Sequence, residues 1–84
     1  MFLYLVTTFR TPEFDPSVIE AHYAFLDDLK QQGRLELAEP FTDKSGGAYL
    51  IKAAGLDEAK AIAFTDPVHT SSSSIVTVYE WNVQ

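Results

Sequence analysis

The sequence predicts an α+β fold of ferredoxin-like βαββαβ order, and three observations predict it. Runs rich in Phe, Leu, Tyr, Val, Ile and Thr open and close the chain at residues 1–9 and 75–83, as strands do. Two helix-compatible segments each end at a stop, Gly33 for the first and Pro67 for the second. Between them, two short strand-like runs flank the polar, glycine-containing residues 42–47, the pattern of a hairpin. Right-handed crossovers turn this order into a four-stranded sheet with both helices on one face.

Taken in order, residues 1–9 (MFLYLVTTF) form the first strand. Asp15-Pro16 then offers an N-cap followed by proline at the first helical position. Ser17-Val18-Ile19-Glu20 offers a capping box instead, so two start registers stay open. The helix runs to about Gln32. Residues 35–41 and 48–53 are the second and third strands. Gly55-Leu56-Asp57-Glu58 opens the second helix with an acidic first turn, and the helix stops before Pro67, which pushes its predecessor out of the α region. Residues 71–74, four serines, are the one low-complexity run. No repeat or linker is present, and residues 1–84 read as one domain.

The outer strands carry a further message. Phe2, Leu3, Tyr4, Leu5 and Val6 are apolar on both faces of the first strand. On the last strand Ile75, Thr77, Tyr79 and Trp81 share one face while Val76 and Val78 take the other. A strand with one wet face should alternate. Helices cover only one side, so a second copy of the chain is the expected cover for the other. Small size points the same way. An 84-residue core without a single cysteine has no disulfide to support it, and oligomerisation is the common substitute.

Composition excludes several classes. A formal charge of −6, with scattered Lys and Arg, disfavours nucleic-acid binding. No stretch is long and apolar enough to cross a bilayer as a helix, and the opening residues lack a basic n-region and a cleavage site, so a cytoplasmic location is expected. Two histidines without ligand spacing give no metal signal. Phosphate-binding glycine loops and serine nucleophile elbows are absent.

His22 stands out on the first helix. Val18, Ile19, Phe25, Leu26 and Leu29 make a helical apolar stripe, and His22 sits within it. A buried imidazole N–H left unpaired costs about 1–3 kcal/mol, so this ring needs a partner. A backbone carbonyl would make it a core residue; a carboxylate would fix its tautomer and prepare it for proton transfer. Asp66, in Thr65-Asp66-Pro67, is the candidate carboxylate, since side-by-side helices bring distant positions together. Its alternative role is turn chemistry. His69 falls in a loop on this reading, with no apparent partner. The run Ser71 to Ser74, with Ser71 and Ser72 foremost, offers hydroxyls for an oxyanion or phenol, and of the aromatics Phe2, Tyr4, Tyr49, Phe64, Tyr79 and Trp81 a few, Tyr4 first, are candidates for lining a planar-ligand pocket, although core and polar-loop roles also fit these residues.

The strand MFLYLVTTF, the helix residues His22-Tyr23-Ala24-Phe25-Leu26 with Lys30-Gln31-Gln32-Gly33-Arg34-Leu35 after them, Ala38-Glu39-Pro40, and Leu56-Asp57-Glu58-Ala59 leading to Asp66-Pro67 occur in an order that resembles the YciI-like (YCII-related) proteins of the dimeric α+β barrel superfamily. The resemblance covers nearly the whole chain. It implies a homodimer and a His–Asp dyad, which maps onto His22 and Asp66. It also implies a small, cofactorless enzyme acting by proton transfer on a small aromatic substrate. The clearest precedent in the family is a dehydrochlorinase of a chlorinated hydroxyhydroquinone. An isomerase, a hydrolase and a non-catalytic ligand-binding module remain the alternatives. Two positions depart from the family pattern. Glu39 stands where glycine often precedes the proline, and Ile19 stands where arginine often lies one turn before the histidine.

Overall fold

A computed structural model describes residues 2–83. Met1, where the expected first strand begins, and Gln84, which closes the expected domain, lie outside the described residues. The elements are β1 (Phe2–Arg10), α1 (Val18–Gln31), β2 (Leu35–Pro40), β3 (Gly46–Ile51), α2 (Leu56–Ala63), α3 (Pro67–Thr70) and β4 (Ser74–Asn82). The strands form one antiparallel sheet in the order β2-β3-β1-β4, which is the ferredoxin-like arrangement of an α+β fold.

Three local details depart from expectation. First, α1 starts at Val18, and neither anticipated cap is made. Ser17 occupies the N-cap position without a side-chain bond, while the Asp15 carboxylate accepts from the Ser17 backbone N–H at 3.0 Å. Those bonds from Ser17 hold the Asp15 carboxyl below its ordinary value. Second, β3 begins two residues earlier than predicted, because Gly46 and Gly47 belong to the ladder and not to the turn. They pair with Phe9 and Thr8 of β1, and a Cβ on Gly46 would lie 1.7 Å from the Thr8 carbonyl oxygen. Only glycine tolerates so close a backbone approach. Third, a one-turn helix, α3, follows α2. Asp66 is its N-cap and Pro67 its first residue, so the proline that ends one helix starts the next.

The C-terminus of α1 follows the sequence closely. Gly33 takes φ +74°, its N–H donates to the Lys30 carbonyl, and the Arg34 N–H donates to the Leu29 carbonyl. This is a Schellman closure.

The core lies between the helices and one face of the sheet. Tyr4, Val6, Tyr49 and Ile51 contribute from β1 and β3, and Val18, Leu26 and Leu29 from α1. Ala59 and Ala63, both fully buried, let α2 approach the sheet closely. Fully burying an aliphatic side chain stabilises by roughly 1.5–3 kcal/mol, so this one-sided core holds α1 against the strands and fixes where its polar residues point.

Candidate active site

At one end of this face the packing opens into a cavity of about 110 Å³ between α1 and the ends of β1 and β3. Small residues make the space. Gly47 and Ala38 sit on the sheet where larger side chains would fill it. The volume is on the scale of a single six-membered ring, judged against cavities known to hold benzene.

His22 lines the cavity from α1. The helical stripe that anchors Leu26 and Leu29 in the core also turns His22 toward the sheet, and its side chain keeps 19% of its surface exposed. Its Nδ1 lies 2.9 Å from both carboxylate oxygens of Asp66. Asp66 is completely buried. Its carboxylate also accepts the Val68 backbone N–H at 3.0 Å, as the cap of α3, and the Tyr49 hydroxyl at 3.3 Å. A buried carboxylate is tolerated only when its oxygens are paired in this way. The two roles considered for Asp66, turn chemistry and carboxylate partner, are both fulfilled.

The contact with Asp66 favours one tautomer of His22. A carboxylate accepts and does not donate, so Nδ1 carries the proton. The neutral ring then has its lone pair on Nε2, the nitrogen that makes no hydrogen bond to a described residue. Burial, and then the Asp66 charge and hydrogen bond, push the Tyr49 phenol far above its ordinary value, so Tyr49 remains a donor to the carboxylate. By sequence Tyr49 stays among the aromatics that are core by default, because an inward aromatic in a strand reads as core. It is core, being 2% exposed, and it supports Asp66 as well.

The remaining candidates lie elsewhere. Tyr4 is buried under α2 and donates to Glu80 at 3.2 Å; it does not line the cavity. Ser71 and Ser72 are exposed on the turn before β4 and do not line it either. The serine run works as a clasp. The buried Ser73 hydroxyl accepts the Asp15 backbone N–H and the Ser71 hydroxyl, and Ser73's carbonyl accepts the Thr11 N–H. The fourth serine, Ser74, does reach the cavity. His69 is not in a loop and is not without contacts. It sits in α3 and stacks on Phe64 with ring centroids 4.7 Å apart. Ile19 and Glu39, the two departures from the family pattern, both line the cavity. Among the described residues no cluster of three or more His, Cys, Asp or Glu could hold a metal ion, and no helix is long and apolar enough to cross a membrane.

Comparison with known proteins gives the chain its family and relatives of its fold. The chain is 43% identical over 84 residues to the uncharacterized protein YjpA of Bacillus subtilis (strain 168), covering 100% of this chain and 99% of that one. Among solved structures it is similar to the 5-chloro-2-hydroxyhydroquinone dehydrochlorinase TftG of Burkholderia phenoliruptrix AC1100, in complex with 2,5-dihydroxybenzoquinone. There the TM-score is 0.74 at 22% identity, over 95% of this chain and 93% of that one. It is also similar to a muconolactone isomerase, with a TM-score of 0.71 at 11% identity, over 100% of this chain and 91% of that one. At such identities these two likenesses concern the fold. The YCII-related domain matches residues 1–82, and the chain therefore belongs to the YCII-related family.

Proposed function

We propose that the chain is a small enzyme that needs no cofactor and in which His22 is the general base and Asp66 orients it. One observation carries this reading. The fully buried Asp66 holds Nδ1 of His22 at 2.9 Å, which leaves the Nε2 lone pair for the cavity side of the ring. A positioned base is worth roughly 10²–10⁴ in rate. Asp66 also stabilises the imidazolium formed when the proton arrives, as in other His–Asp pairs.

The substrate reading is a small hydroxylated aromatic, with elimination of HCl from a chlorinated hydroxyhydroquinone as the specific reaction. Support comes from a cavity the size of one ring and from likeness to a dehydrochlorinase in fold. His22 takes a hydroxyl proton, the ring tautomerises, the C–Cl bond breaks, and chloride leaves with the electron pair. The products are a hydroxyquinone, one proton and chloride. The balance closes without an external oxidant.

The same proposal includes a homodimer formed through the helix-free face of the sheet, with residues 1–84 as one domain. Leu37, Ile75, Tyr79 and Trp81 are between 50% and 63% exposed there. Leu5 and Leu50 share this face by the strand register, beside Tyr79 and Leu37, and exposed apolar side chains gathered on one face mark an interaction surface.

The test is chloride release from a chlorinated hydroxyhydroquinone under nitrogen and reductant. Wild-type protein should accelerate release, and His22→Ala and Asp66→Asn should each abolish most of it while remaining folded. Enzyme-dependent release that persists without His22 would remove it as the base. Failure of every chlorinated hydroquinone would return the reading to an isomerase, a hydrolase or a ligand-binding module.

A further inference from the structure

The end of the cavity formed by β1 and β4 holds two polar side chains that the proton-transfer reading leaves without work. Arg10 and Ser74 are register partners on adjacent antiparallel strands, and both line the cavity. Strand alternation places them on the helix-bearing face with Tyr4, Val6 and Thr8, with Arg10 exposed at the strand's end and Ser74 buried. Arg10 is the one permanent cation lining the cavity, and among the described residues no carboxylate pairs with it. Its guanidinium instead rests 4.2 Å from the centre of the Phe14 ring, and its backbone N–H is tied to the Ser45 carbonyl at 2.8 Å. Stacking of this kind restrains the guanidinium plane and leaves its N–H edge free to donate.

Ser74 adds an independent observation. It is 6% exposed, and its hydroxyl has no hydrogen-bond partner among the described residues. No side-chain oxygen or nitrogen among them is both sealed from open space and unpartnered, so this hydroxyl keeps its opening, and Ser74 lines the cavity. Glu39 lines the cavity too, but its register partner is Ala48, which pairs with Thr7, so its side chain belongs to the opposite face of the sheet.

We propose that Arg10 and Ser74 form an oxyanion-binding subsite, and that the substrate carries an anionic oxygen, carboxylate or phenolate, on the planar molecule presented to His22. This deepens the proton-transfer reading and rests on it for the identity of the cavity as the active site. In a chain of charge −6 the general field repels anions, so an anionic ligand needs a local cation, and Arg10 is placed to supply it. A charge-assisted bond from a guanidinium with a second bond from a hydroxyl is among the stronger ways to fix a small anion.

The experiment is an amide NMR titration of the intact protein with benzoate and with benzamide, its uncharged counterpart, and with 4-nitrophenol on either side of its ionisation. Benzoate or nitrophenolate should bind at least about ten-fold more tightly than its neutral form and shift the Arg10 and Ser74 amides. The benzoate arm reports a carboxylate site and the nitrophenol arm a phenolate site. Arg10→Gln should remove the discrimination while neutral binding persists. Arg10→Lys, which keeps the charge and loses the planar fork, should retain part of it. His22→Ala should leave it intact, so failure of the base reading and failure of this subsite are separable. Equal affinity for charged and neutral probes, no binding of either, or discrimination that survives Arg10→Gln would each overturn the proposal.

Discussion

On the helix-covered face of the sheet Tyr4, Val6, Tyr49 and Ile51 are no more than 2% exposed, while on the opposite face Ile75 is 63%, Leu37 56%, Tyr79 53% and Trp81 50% exposed. Both faces are apolar, yet only the first is closed by the chain's own helices. The covered face can keep a buried carboxylate, because its packing excludes water and supplies three donors to Asp66. Among the described residues the open face carries no buried carboxylate. Its apolar side chains come from all four strands, which is the pattern of a surface that a matching sheet could cover. The two faces thus differ in what they hold: one brings His22 and a buried carboxylate together, and the other leaves apolar side chains in water, on which the proposed dimer would draw in a chain of 84 residues.

The largest expected effect separates the faces by activity. His22→Ala should lower kcat/KM by roughly 10²–10⁴ with little change in folding, because the ring is partly exposed and its loss removes a base and not a core side chain. Asp66→Asn should approach the same loss. The amide's NH₂ would face Nδ1 and favour the tautomer with the proton on Nε2, which takes the lone pair from the cavity. Steady-state kinetics with circular dichroism as the folding control checks both.

A charge on the open face should act in the opposite manner. Leu5→Lys with Tyr79→Lys, register partners on that face, should give a monomer with the His22–Asp66 geometry retained. Sedimentation equilibrium reads the change from about twice the 9.4 kDa chain mass to once. Trp81, half exposed in the single chain, should shift its emission to the red as the partner leaves. A wild-type protein that sediments as a monomer at micromolar concentration would break the comparison.

Tyr49→Phe should be smaller and should sharpen the account of the covered face. It removes one of the donors to Asp66 while keeping the aromatic packing, at a cost of about 1 kcal/mol in denaturant unfolding. The pH dependence follows from the direction of the shift. The folded phenol ionises well above its ordinary value of 10.0, so the stability this linkage contributes is fully present below that pH and falls as pH rises beyond it. In wild type, absorbance at 295 nm should show one tyrosine ionising only together with alkaline unfolding. Tyr49→Phe should lose that component.

His69→Ala should be the mildest, at about 0.5–1 kcal/mol from the lost stacking on Phe64, with kcat/KM unchanged because His69 does not line the cavity. A large drop in activity would place a second functional residue outside the cavity described.

Much of this was readable in the chain itself. Element order, the Gly33 stop and the helical stripe containing His22 follow from periodicity and backbone chemistry, which act over a few residues and leave their mark in short windows. The one-turn helix was legible in principle. Asp66-Pro67 repeats the dipeptide read as a helix start at Asp15-Pro16, and it is the second occurrence that forms the N-cap pair. The glycines of β3 were misplaced for a related reason. Composition marks Gly46-Gly47 as a turn, and only the crowding of the Thr8 carbonyl against Gly46 shows that a strand needs them.

The sequence by itself determined the fold class, the apolarity of both sheet faces and the presence of an imidazole among core residues, because each is a property of residue type and spacing along one element. The tertiary structure alone decided which groups meet. Residues 22 and 66 approach to 2.9 Å because α1 and the α2–α3 junction pack on the same face of one sheet. Tyr49 joins them from β3, and register sets Arg10 beside Ser74 across 64 positions of chain. Contacts of that sequence separation depend on the sum of all the packing between them, and no local window contains that sum.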